Sequence, residues 1–201
     1  MREVSKFFGK MSEMEAEFFR DFKPLKTERL IIRKLTLDDA KDIYEFTSLK
    51  ETSEFLTWYP HQNIETTRKF LEDLQVKYRK NLPSQWGIEL LTENKIIGIA
   101  GFITFFPEHK KGELAFVLSP KYQNRGYMTE ALGIIVHFGF EVMELNRIEA
   151  KCEIDNFASE RVLQKIGMQL EGCCYEYLVR KGIFRDYKIY ALLKKYYDEK
   201  N

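Results

Sequence analysis

Leu114-Ala115-Phe116-Val117-Leu118-Ser119-Pro120-Lys121-Tyr122-Gln123-Asn124-Arg125-Gly126-Tyr127-Met128-Thr129-Glu130-Ala131 is the stretch that decides the fold. Its first five residues are apolar and suit a strand. Ser119-Pro120 ends the run, since proline cannot continue a ladder. A polar turn follows, and an apolar-striped segment over residues 126–143 opens at a glycine. The first amides of such a helix lack intrahelical partners, and the helix dipole is positive there. That terminus suits an anion, usually a phosphate. Gly126 lets the backbone approach it closely and Arg125 adds charge. The stretch holds no GxxxxGK[ST], which excludes a P-loop, and no GxGxxG, which argues against a dinucleotide fold. Taken alone, one glycine at a strand-to-helix turn is more often a plain connection.

Outward from this stretch, strand and helix patterns alternate. Gln85–Leu91 and Ile96–Phe105 are β-prone runs joined by Thr92-Glu93-Asn94-Lys95, a hairpin signal. Gly112–Leu118 is a third strand. Arg147–Ile154 reads as a strand, Phe157–Ile166 as a helix, and Met168–Val179 and Phe184–Leu193 as the last strands. Upstream, Arg29–Leu35 has strand character. Thr36-Leu37-Asp38-Asp39 has the form of a capped helix start, with Thr36 as N-cap and Asp39 reaching back. Asn63 or Glu65-Thr66 opens a second helix, which ends before Asn81-Leu82-Pro83. The hairpins predict a mixed sheet. The strand–helix–strand unit from Gly112 to Ile154 predicts a locally parallel pair with a right-handed crossover.

The chain has 201 residues, enough to bury roughly 70% of its unfolded surface without metal or disulfide staples. Hydrophobic residues make up 44% and charged residues 31%, a globular rather than a disordered composition. The net charge of +1 argues against a general nucleic-acid or membrane-surface binder. Cys152, Cys173 and Cys174 show no CxxC and no zinc spacing with His61, His109 or His137, so no metal is expected. They read as small core residues of a reducing cytosol. Residues 1–28 lack the apolar core of a signal peptide, and the longest apolar stretch, Tyr127–Met143, is interrupted by charges. A cytoplasmic location is therefore expected. Val4, Phe7, Phe8, Met11, Met14, Phe18 and Phe19 fall at helical spacing and predict an amphipathic N-terminal helix. The expected organisation is a helical extension over 1–24 and one domain over 25–201.

Four segments, in order, resemble those of the GCN5-related N-acetyltransferase superfamily. Gln123-x-x-Gly126-x-Met128 is similar to its motif A, Gln/Arg-x-x-Gly-x-Gly/Ala. Asn156-Phe157-Ala158-Ser159 with Lys165-Ile166-Gly167-Met168 is similar to its Asn-x-x-Ser/Ala and Lys-x-Gly-Phe segment. Thr27-Glu28-Arg29-Leu30-x-x-Arg33 resembles the opening of the branch that acetylates ribosomal-protein N-termini (RimJ/RimL), and Trp58-Tyr59-Pro60-His61 resembles that branch's acceptor-side loop. The resemblance spans roughly residues 25–194. It implies an α/β (α+β) fold: a mostly antiparallel mixed sheet with one splayed parallel pair, flanked by helices.

The resemblance also implies acetyl-CoA as cosubstrate, lying where Glu113–Leu118 and Arg147–Cys152 part. Gln123, Asn124 and the amides of Arg125, Gly126, Tyr127, Met128 and Thr129 would take its diphosphate. The edge of Phe116-Val117-Leu118 would pair with the pantetheine arm, as an added strand does. Asn156 would bond the arm from the other side. An amide of Phe116 or Val117 would polarise the thioester carbonyl. Met128 stands where the family has Gly or Ala, and the diphosphate site survives only if its side chain points away. Leu163 stands where many members have a tyrosine that protonates the leaving thiolate, so Ser159 is expected to take that role.

An attacking amine must be neutral. An α-amine with a pKa of about 7.7–8.0 is partly so at pH 7, while a lysine is almost wholly protonated. A glutamate near the acceptor, acting through water, suffices as base. Glu113 is the first choice and Glu89 the second. Trp58, Tyr59 and Trp86 are expected to line an acceptor groove, with core packing as the plain alternative. Tyr187 and Tyr190 are expected to pack. The leading function is acetyl transfer to a protein N-terminal α-amine, possible substrates including a ribosomal protein, by direct attack in a ternary complex. The alternatives are a small-molecule amine (polyamine, aminoglycoside or amino acid) and a non-catalytic acyl-CoA-binding module. Pairing of two copies through the last strand or the N-terminal helix is left open.

Overall fold

The computed structural model describes residues 17–199. Among them one sheet is built from β1 (Leu25–Lys26), β2 (Leu30–Arg33), β3 (Gln85–Leu90), β4 (Lys95–Phe106), β5 (Lys111–Leu118), β6 (Arg147–Glu153), β7 (Gln169–Arg180) and β8 (Ile183–Leu193). The helices are α1 (Glu17–Arg20), α2 (Ala40–Thr47), α3 (Ile64–Arg79), α4 (Tyr127–Glu141), α5 (Phe157–Lys165) and α6 (Lys194–Asp198). The strand order is β1-β2-β3-β4-β5-β6-β8-β7. All neighbours are antiparallel except β5 and β6, whose α4 crossover makes them parallel, as the sequence predicts.

The parallel ladder is short. It runs from Lys111 opposite Arg147 to Leu114 opposite Ala150 and then stops. Residues 115–118 continue on β4 alone. A register shift in β4 between Phe102 and Thr104 bends that strand where it meets β5.

Helices pack on both faces of the sheet. Trp86 and Gly87 are adjacent in β3 and therefore point to opposite faces. The Trp86 ring meets Phe138 of α4 edge-on at 5.8 Å. Gly87 faces Leu35, on the side of α2 and α3. At Gly139 the helix comes so near the sheet that a Cβ would lie 2.8 Å from the Phe102 ring.

Two local starts form for the reasons their sequences suggest. The Thr36 amide donates to Asp39 Oδ2 at 2.7 Å, and Asn63 Oδ1 caps α3 by accepting from the Thr66 amide at 3.0 Å. The expected helix over Val4–Phe19 lies mostly outside the described residues. Its end, α1, is a single turn. Phe19 is 1% exposed and Phe22 stacks on Trp86 at 4.0 Å, so this end of the extension is core.

Three expectations need correction. Trp86 is fully buried among Phe19, Phe22, Phe102 and Phe138 and is not a groove residue. Glu89 is taken up by Arg33, which also holds Asp39. Of the cysteines only Cys152 is buried; Cys173 is exposed and Cys174 half-buried.

Candidate active site

A cleft of about 420 Å³ opens where β5 and β6 part. That volume suits a small-molecule site. Four segments wall it: the end of β5, the turn into α4, the start of α5, and the loop between α2 and α3.

The turn into α4 is held from two sides. The Tyr122 hydroxyl donates to Glu93, in the β3–β4 hairpin. Arg29 donates to the Arg125 carbonyl at 3.1 Å and bonds Glu130, in the first turn of α4, at 2.6 Å. Thr27 also donates to Glu130, at 2.6 Å. Burial pushes the Glu130 carboxyl up, but the Thr27 and Arg29 bonds outweigh it and hold it below the ordinary range. This gives the Thr27-Glu28-Arg29-Leu30 segment a physical role: it ties the outer strand to the turn into α4.

Gly126 is the N-cap of α4, at φ 81° and ψ −3°. That left-handed conformation suits glycine. The Glu130 amide donates back to the Gly126 carbonyl at 3.0 Å, and the amides of Tyr127, Met128 and Thr129 precede that first helical bond. Met128 is 4% exposed and packs in the core, so its side chain leaves these amides clear.

Across the cleft, Asn156 caps α5. Its Oδ1 accepts from the Ser159 amide at 3.1 Å, which leaves Nδ2 available. Ser159 is half-buried on the cleft wall, and its hydroxyl has no partner among the described residues. Leu163, one turn on, is fully buried.

The cleft thus brings together Phe116, Val117, Leu118, Gln123, Asn124, Gly126, Tyr127, Met128, Thr129, Asn156 and Ser159. Arg125 is not on its wall; its guanidinium lies 5.8 Å from the Tyr122 ring. Glu113 is also off the wall and pairs with Lys151 at 3.0 Å. Burial pulls the Lys151 ammonium down, but the Glu113 carboxylate outweighs it and holds it above its ordinary value.

The acceptor-side aromatics are off the wall too. Trp58 lies 5.3 Å from His61, and Tyr59 is 67% exposed with Lys181 5.3 Å from its ring. His61 Nδ1 sits between the Thr47 and Thr67 hydroxyls at 3.0 and 2.8 Å, and burial holds its pKa down. Tyr190 bonds Glu160 at 2.6 Å, and burial pushes its hydroxyl up to about 12. Tyr187 meets Glu153 at 3.4 Å. Both tyrosines are packing residues. Burial pushes the Cys152 thiol up to about 11, which leaves it a poor nucleophile.

Sequence reasoning missed two parts of the wall. Arg161 and Lys165 of α5 stand one turn apart beside the cleft, a spacing visible in the sequence. Glu51, Thr52, Glu54, Phe55 and Leu56 carry no motif, and only the fold brings them there. Among the described residues no His, Cys, Asp or Glu cluster could hold a metal, and no helix is long and apolar enough to cross a membrane.

The family described as acetyltransferase (GNAT) domain matches residues 29–169. The uncharacterized N-acetyltransferase YoaA of Bacillus subtilis (strain 168) is 30% identical over 86% of this chain and 98% of its own length. The ribosomal-protein-serine acetyltransferase of Escherichia coli (strain K12) is 26% identical over 82% of this chain and 93% of its own. The crystal structure of a GNAT-family acetyltransferase from Bacillus anthracis superposes with a TM-score of 0.78 at 32% identity, covering 86% of this chain and 99% of that one. With the whole cleft inside or beside the matched segment, the chain belongs to the GNAT acetyltransferase family and is an N-acetyltransferase.

Proposed function

We propose that the protein transfers an acetyl group from acetyl-CoA to a protein or peptide N-terminal α-amine, of the ribosomal-protein type, by direct attack in a ternary complex. The observation that carries this reading is the cleft itself: free helix-start amides on one wall face Asn156 and Ser159 on another. These residues fit the cosubstrate. A diphosphate needs close backbone approach, and Gly126 has no Cβ while Met128 is turned into the core. Acetyl-CoA, when bound, supplies an activated thioester.

The chain's own groups do the rest. The amides of Tyr127, Met128 and Thr129 hold the diphosphate, with Arg161 and Lys165 adding positive charge nearby. Residues 115–118 have no ladder partner toward β6, so their edge is open to the amides of the pantetheine arm. Asn156 Nδ2 donates to the arm. An amide of Phe116 or Val117 donates to the thioester oxygen, where charge develops. The Ser159 hydroxyl donates a hydrogen bond to the leaving sulfur and relays a proton to it from water. Glu113, paired with Lys151, takes the amine's proton through water.

A small-molecule amine is the second reading. Glu51 and Glu54 on the loop wall favour a cationic acceptor such as a polyamine. A cytoplasmic location and pairing of two copies belong to the same proposal. β7 is a free sheet edge, and Tyr175, Val179, Ile183 and Phe184 of its hairpin are more than half exposed.

A thiol-release assay over a panel of peptides, polyamines, aminoglycosides and amino acids, with mass spectrometry of the products, tests the function. One acetyl gained on a peptide α-amine supports it. Thiol release with none of the acceptors points instead to a non-catalytic acyl-CoA-binding module. Ser159→Ala and Glu113→Gln are expected to lower kcat; unchanged kcat in either removes that residue's role.

A further inference from the structure

The β7–β8 hairpin turns through Lys181 and Gly182, both at positive φ (51° and 82°), the tight two-residue form that matches strand twist. Arg180 stands just before the turn and is only 9% exposed. Its guanidinium is held by Glu153, itself 5% exposed, with one bond at 3.0 Å. From there Arg180 Nη1 donates to the Glu54 carbonyl, and Lys181 Nζ donates to the Ser53 carbonyl at 2.6 Å. Two cations at one hairpin tip therefore grip two successive carbonyls of the α2–α3 loop, more than 120 residues away in sequence. A buried Arg–Glu pair is costly to desolvate, and here its spare donor is spent on that loop.

The gripped loop faces the cleft. Thr52, the residue before the first gripped carbonyl, is on the cleft wall and 8% exposed, and its hydroxyl has no hydrogen-bond partner. A buried unpaired hydroxyl is unfavourable, and a ligand that pairs with it removes the penalty. The cleft is also divided by charge: Arg161 and Lys165 lie on the α5 wall, Glu51 and Glu54 on the loop wall. An anionic cosubstrate takes the first and an ammonium the second.

Building on the function proposed above, we infer that Arg180, with Lys181, is a positioning residue: it fixes the Glu51–Leu56 loop so that the Thr52 hydroxyl hydrogen-bonds the amine substrate. Glu153 holds Arg180 in place, and the hairpin acts on the acceptor only through the loop.

The test compares wild type with Thr52→Val, Arg180→Lys and the double variant Arg180→Met with Glu153→Gln. The double variant removes both charges together, so no buried charge is left unpaired. The acceptors are a short peptide with a free N-terminal serine, and spermidine. Thr52→Val is expected to raise acceptor KM about three- to tenfold, the worth of one hydrogen bond, with the acetyl-CoA KM unchanged and the Tm equal or higher. The double variant is expected to speed amide exchange at residues 51–56 but not at 126–129 and to raise acceptor KM alone; Arg180→Lys is expected to restore part of both. An unchanged acceptor KM in Thr52→Val, or unchanged exchange at 51–56 in the double variant, overturns the inference. If wild type acetylates neither amine, the function proposed above falls, while the exchange measurement still decides the clamp.

Discussion

Gly126 sits at φ 81°, in a conformation where an L side chain is strained, and a Cβ there would meet Arg29 Nη2 at 3.4 Å. Gly126→Ala is expected to destabilise the fold by about 1–2 kcal/mol, the usual cost of a left-handed non-glycine residue. Thermal melts measure that loss. The same variant should raise the acetyl-CoA KM more than the acceptor KM, because the amides it tilts are the ones proposed to hold the diphosphate; an equal rise in both would argue against that role. At this scale the sequence was informative wherever a residue acts through its own backbone or as a cap. Gly126, Asn156 and Ser159 all stand on the cleft as their segments suggested. It was uninformative wherever a partner decides. Glu89 and Trp86 have side chains that suit a groove, but Arg33 claims the first and four phenylalanine rings surround the second. Neither partner lies near them in sequence.

Among the elements, α1 and the segment after it matter beyond their length. Phe22 stacks on Trp86 with rings 13° from parallel and meets Phe138 edge-on at 5.3 Å. Phe22→Ala is expected to cost about 3–5 kcal/mol, the range for emptying a buried aromatic site. A shift of the urea midpoint checks this. A cost below about 1 kcal/mol would mean that the site collapses or that the extension is dispensable. Element type and order were legible because periodicity of 2 or 3.6 survives in a single sequence. Sheet order was less so. The insertion of β8 between β6 and β7 depends on which edge each strand meets, and periodicity marks a strand's face but not its neighbour. The two-residue β1 and the closing α6 are too short for a period to register.

For the whole molecule, near-neutral charge conceals ordered pairing. Burial pushes the Asp39 carboxyl up, but Arg33 and Thr36 hold it below its ordinary value, and Glu130 is likewise held down against burial by Thr27 and Arg29. The unfolded chain binds these protons more tightly, so acid favours unfolding. Their contribution is complete above the unfolded carboxylate values of about 4 and is lost as pH falls through the lower folded ones. Urea midpoints should therefore fall in two stages, first below about pH 6.5, where the unfolded His61 takes a proton that burial disfavours in the fold, and again below about pH 4, with a shallower second stage in Asp39→Asn. A midpoint unchanged down to pH 3 in the wild type would refute this. None of these pairs is visible in the +1 net charge, because composition counts charges without their neighbours.

The short ladder between β5 and β6 makes the sheet two panels joined along a partial seam. One panel runs from β1 to β5 and the other holds β6, β8 and β7, with four register pairs from Lys111–Arg147 to Leu114–Ala150 as the stitching. An extended molecule laid in the open part of the seam completes it, as a missing rung would. With the pantetheine arm placed as proposed above, the cosubstrate would be a structural member as well as a reagent. Its release at the end of a cycle would then reopen the seam.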